Sequence, residues 1–269
     1  MINLMRADMY RILRGKGIYI CFAIMLAVIL LTVYVMRIAP TMGVSGEVVI
    51  EGFEFEDRAL QDNYMSGASS ATMAIGAMNN MIYIFLPLLI IVSMAAFSSR
   101  AVKNELTVGI GRVKFYLSKL FLGSILSFVF MALYLVLSVA LAATVDGMGY
   151  WGSGFFTEIM QAFGLQILLL LGFVSMGVFF GFLTRRTSAT IGLYIALALV
   201  PSIIISILSG PFPRALNAFY YDLSGLYFHF ARPGDMTGFE ICRGIIVSLV
   251  YIAVSTIAGL VLFKRAEIR

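Results

Sequence analysis

Six stretches of the chain contain no Asp, Glu, Lys or Arg: 17–36, 63–99, 120–145, 159–184, 187–213 and 244–263. About 20 residues of helix cross the roughly 30 Å of bilayer hydrocarbon, so each run has room for one span and none holds two comfortably. Composition agrees, with 61% hydrophobic and 12% charged residues, about half the charged share of a soluble domain, and a mean hydropathy of +0.98. The chain is therefore read as an all-α membrane protein, a single transmembrane domain over 1–269. Six spans are predicted at about 17–36, 75–97, 120–145, 159–183, 187–208 and 244–263. The longest connections, 37–74 and 209–243, are extracellular in the topology below, and neither is large enough for a separate catalytic domain.

Cytoplasmic loops retain Lys and Arg. The N-terminus, the second and fourth connections and the C-terminus hold 14 of the 19 basic residues, and the opposite side holds 11 of the 14 acids. Both termini are thus predicted to be cytoplasmic. The basic residues are scattered over short loops, which argues against a nucleic-acid surface. Residues 2–14 place Ile2, Met5, Met9, Ile12 and Leu13 in one helical sector, which predicts an amphipathic helix within 1–16 lying on the inner membrane surface; a frayed tail is the alternative. The uncharged run after it is too long for a signal-peptide core. Cys21 and Cys242 fall at opposite faces of the bilayer and are predicted to be free thiols.

No span is predicted to carry an ionisable group, which removes the usual basis of ion-coupled transport. The polar amides Asn79, Asn80, Gln161 and Gln166 read as interhelical hydrogen-bonding groups. His229 is the one histidine, so a paired-histidine zinc site is excluded, and no serine has a base beside it within a span. A phosphate-binding loop of the G-x-x-x-x-G-K-[ST] form is absent, so any ATP must be hydrolysed by another polypeptide. Pro87 and Pro201 interrupt the second and fifth spans. Gly123 with Ser127 and Gly177 with Gly181 are small pairs suited to close helix packing.

The second connection, from Ser98 to Lys119, is much longer than a return to the membrane needs. Composition alone allows it to dock a cytoplasmic partner or to serve as a solvated topological anchor. The opening MINLMRADMYRILRGKG, the segment NELTVGIGRVKFYLSKL, the turn TRRTSA and the ending FKRAEI together resemble the permeases of the type-2 ABC exporter family, most closely those that export or confer immunity to antimicrobial and amphipathic peptides.

The resemblance implies a non-catalytic permease of a bacterial cell membrane, with no cofactor of its own. It pairs with a second permease, expected as a homodimer, above two copies of a cytoplasmic ATPase that binds ATP and Mg²⁺. It implies a coupling helix between spans two and three, over about Arg100 to Arg112, with ATPase contacts at Lys103, Glu105, Leu106, Gly109 and Arg112 and a second contact at Arg185 and Arg186. Apolar or amphipathic cargo, peptides above all, would pass along spans two and five, near Phe85, Pro87, Met94, Tyr194 and Pro201. Short re-entrant helices are implied between spans five and six, where Ala215–Phe230 is apolar enough to lie in the outer interface. The first outer loop departs from the family pattern: it is long and acidic, and Glu47–Glu56 alternates as a small hairpin would. A membrane interaction protein or passive pore without an energy source is the other reading.

Overall fold

The computed structural model describes residues 2–38, 66–98, 111–149, 151, 154–209 and 213–265, and among these the regular structure is helical. The helices are α1 (Ile2–Arg14), α2 (Lys16–Ile38), α3 (Gly67–Gly76), α4 (Met78–Ser98), α5 (Arg112–Asp146), α6 (Phe155–Thr184), α7 (Thr187–Ser209), α8 (Leu223–Phe230) and α9 (Gly238–Arg265), with 3-10 turns at Pro213–Tyr221 and Pro233–Asp235. Five of them, α2, α5, α6, α7 and α9, are long and apolar enough to cross a membrane. The stretch expected to supply the second span carries α3 and the 21-residue α4, which meet at Ala77, whose N–H reaches back to Met73 O at 2.9 Å. The expected coupling helix and the hairpin at Glu47–Glu56 lie outside the described residues.

Helix ends run past the charge-free stretches, because a charged side chain ends the hydrocarbon and not the helix. α5 begins at Arg112, eight residues before the third span was expected, and α9 begins at Gly238, six before the sixth. Part of the 37–74 connection is also structured. Ser66 caps α3 by accepting from Ser69 N at 3.3 Å, and Gly67 N and Ala68 N donate to Gly147 O and Met148 O at 3.0 Å each, laying α3 against the end of α5. Ser70 Oγ adds a bond to Ser138 O at 3.0 Å.

α6 is the central helix, buried continuously from Gly172 to Val178, whereas α7 and α9 present apolar side chains outward, as lipid-facing helices do. The predicted small pairs pack closely. A Cβ at Gly123 would sit 3.5 Å from Leu89, and one at Gly177 would sit 2.9 Å from the same leucine. Leu89 of α4 is thus wedged between α5 and α6 where only small residues leave room. Cys21 is buried and Cys242 exposed, and both are free.

Candidate functional site

The two described ends of the bundle differ in chemistry. At the end holding the termini, Phe115 and Tyr116 of α5, Phe182 of α6 and Phe263 of α9 form an aromatic knot, with ring centroids 4.9–5.9 Å apart. Gly259 gives Tyr116 its seat, since a Cβ there would collide with the ring. Arg112 lies beside the knot. Its Nη1 donates to Lys264 O at 2.6 Å and Phe263 O at 3.4 Å, capping the carbonyl end of α9, where a cation is favoured. The arginine implied as the last contact of a coupling helix is therefore the first residue of a long helix and ties two helix ends together.

Lys119, counted above with the basic loop, is helical and 1% exposed, and its Nζ lies 2.6 Å from Asp8 Oδ2. Lys119 lies one residue before the stretch expected as the third span, so the buried pair sits at the margin of that uncharged run and not within it. In α1, Ile12 and Asp8 face the bundle, while Leu13 of the predicted apolar sector is exposed. The helix is docked on protein through a paired charge and is not held by lipid alone. A buried ion pair of this kind holds position more than it stabilises, because two desolvation penalties offset the attraction.

Arg185 and Arg186 occupy the turn between α6 and α7 and are exposed. Arg185 has φ 51° and ψ 18°, the left-handed conformation that ends a helix, and its N–H reaches Gly181 O at 3.0 Å. Thr184 and Thr190 brace the turn with hydroxyls 2.8 Å apart. Lys103, Glu105, Leu106 and Gly109 lie outside the described residues, so of the seven implied ATPase contacts the structure places Arg112, Arg185 and Arg186.

Of the implied cargo residues, three have described side chains. Tyr194 is buried against Gly177 and 6.2 Å from the Phe173 ring, Pro87 is exposed, and Pro201 is half-buried. Phe85 and Met94 lie on α4, but their side chains are outside the described residues. A shallow groove of about 480 Å³ opens elsewhere, between α2 and the far end of α5, lined by Ala27, Leu30, Leu31, Val33, Tyr34 and Val145.

At the opposite end the 3-10 turn and α8 fold back into the bundle. Leu223, Leu226, Tyr227 and Phe230 are buried among α6, α7 and α9, so one face of α8 packs into the core, while Tyr221 and Phe228 of the same apolar segment stay exposed. Asp222 caps α8, accepting from Gly225 N at 3.1 Å and from Ser202 Oγ of α7 at 2.6 Å. Gln166, fully buried on α6, donates from Nε2 to Ile75 O at 3.1 Å and Tyr227 O at 3.2 Å. For Gln166 alone among the span amides, that realises the interhelical role expected of them, close to the junction of α3 and α4. His229 stacks on Tyr220 at 4.3 Å and 13°, and Arg243 lies 3.9 Å from the centre of the same ring. Burial holds the His229 imidazole below its ordinary pKa, with Arg243 acting in the same direction and Glu240 opposing. The spacing of Tyr220 and Arg243 from His229 carries no local signature in the sequence.

No protein-family model matches the chain, and no curated protein sequence is similar to it.

Proposed function

We propose that the chain is the membrane-spanning permease subunit of an ATP-driven exporter of the type-2 ABC kind, moving hydrophobic or amphipathic cargo, with peptides the first class to test. The observation that carries this reading is the helical pair Pro213–Tyr221 and α8, inserted between the last two long helices where that family has re-entrant helices. The placement of α1, directly ahead of α2, agrees with the family's connecting helix. On this reading α4 is the second of six spans, both termini are cytoplasmic and the membrane is a bacterial cell membrane. Two permeases pair, and two ATPase copies dock beneath Arg185, Arg186 and the segment holding Lys103, Glu105, Leu106 and Gly109. ATP and Mg²⁺ belong to that partner. The exposed basic turn at Arg185 offers charge for such docking, and Arg112 transmits movement of the loop to α9 through its two carbonyl contacts.

The test is purification of the tagged full chain from its host in mild detergent, followed by identification of the co-purifying chains and assay of ATP hydrolysis. A stoichiometric ATPase, lost in the Arg185→Ala/Arg186→Ala variant, is the expected result. An intact protein that retains no ATPase overturns the proposal.

A further inference from the structure

Buried and exposed positions of α1 separate cleanly. Asp8 and Ile12 are buried, with Leu4, Met5 and Met9 half-buried beside them, while Arg6, Tyr10, Arg11 and Arg14 are exposed. At 100° per residue the three arginines fall within a sector of about 140°, and Arg6, Tyr10 and Arg14 make an i, i+4, i+8 stripe along it. Arg14 rests its guanidinium 4.6 Å from the centre of the Tyr10 ring. The one acid of the helix, Asp8, is spent inside the bundle on Lys119. The outward face therefore carries cations without a compensating carboxylate. Only Gly15 separates α1 from α2, which opens with the exposed Lys16 and Tyr19, so this face sits at the level where a span enters the membrane.

We propose that the outward face of α1 binds the headgroups of anionic phospholipids, with Arg6, Arg11 and Arg14 meeting phosphate and Tyr10 lying at headgroup depth. Arginine matches phosphate through paired N–H donors, tyrosine favours the interface because one end of its ring is apolar and the other polar, and basic residues beside a span gain from an anionic surface. The Asp8–Lys119 pair fixes the rotation of the helix, so the cations face outward and the one acid is kept away from the phosphates. The inference does not depend on the transport function.

The experiment is native mass spectrometry of the full-length protein in mild detergent, titrated with dioctanoyl phosphatidylglycerol or dioctanoyl phosphatidylcholine. The wild-type protein is expected to retain phosphatidylglycerol in preference. Each basic residue near an anionic surface is worth about fivefold in binding, so Arg6→Gln/Arg11→Gln/Arg14→Gln together should weaken phosphatidylglycerol by about a hundredfold and leave phosphatidylcholine unchanged. Arg6→Lys/Arg11→Lys/Arg14→Lys should keep most of the binding. Equal retention of the two lipids by the wild type, or undiminished phosphatidylglycerol binding in the glutamine variant, overturns the proposal. Loss of a co-purifying protein from that variant with lipid binding intact would make the face a protein-docking surface instead, which also overturns it.

Discussion

Asp8 and Lys119 form a contact whose halves cannot be removed singly without leaving a charge inside the bundle. Lys119→Met or Asp8→Asn should each lower stability by about 3–5 kcal/mol, as removal of one member of a buried pair does, while the double replacement should recover most of the loss; thermal unfolding in detergent reads all three. His229 is the second residue with a measurable signature. Its folded pKa lies below the ordinary value of 6.5, so between the two values the unfolded chain binds more protons and stability rises with pH. The contribution is fully present above about pH 6.5, declines as pH falls through the lowered folded value, and is level below it. Melting temperatures taken from pH 7.5 to 5 should show the decline in the wild type and a flatter profile in His229→Gln.

Among the elements, α8 depends most on side chains from elsewhere. An eight-residue helix is too short to be stable alone, and this one is held by Asp222 at its start, Ser202 across from it and Gln166 at Tyr227 O. Replacing Gln166 by Leu leaves Ile75 O and Tyr227 O without that donor and should cost about 1–3 kcal/mol, with hydrogen exchange rising across 223–230 first. The pattern that buries α8 was visible, because Leu223, Leu226, Tyr227 and Phe230 fall at i, i+3, i+4 and i+7. Its placement between two spans made it read as surface. Lys119 was missed for a related reason: beside a basic loop a lysine reads as an anchor. Asp8 was the better clue, since it shares the helix face of Ile12 and carries the only acid in α1.

For the molecule as a whole, the charge-free runs locate the long helices because hydrocarbon tolerates few charges anywhere along a span. They leave open what happens at either end, where helices extend into polar surroundings and side chains from distant segments meet. The aromatic knot, the Arg112 cap and the stacked Tyr220, His229 and Arg243 are all of that kind: each joins residues too far apart in the chain for local spacing to announce. Orientation can be read with the two natural thiols. With the termini inside, a membrane-impermeant maleimide added to intact cells should label the exposed Cys242 and spare the buried Cys21; labelling of Cys242 only after the cells are opened would invert the topology.

The partners of the Asp8–Lys119 pair are 111 residues apart. At a synthesis rate of about 5–20 residues per second the lysine leaves the ribosome on the order of ten seconds after the aspartate. During that interval Asp8 has no partner from the rest of the bundle, and α1 can settle against it only once α5 has been threaded in the correct direction. Docking of the N-terminus thus waits on α5 and reports on its correct insertion, and a chain threaded wrongly would leave α1 undocked.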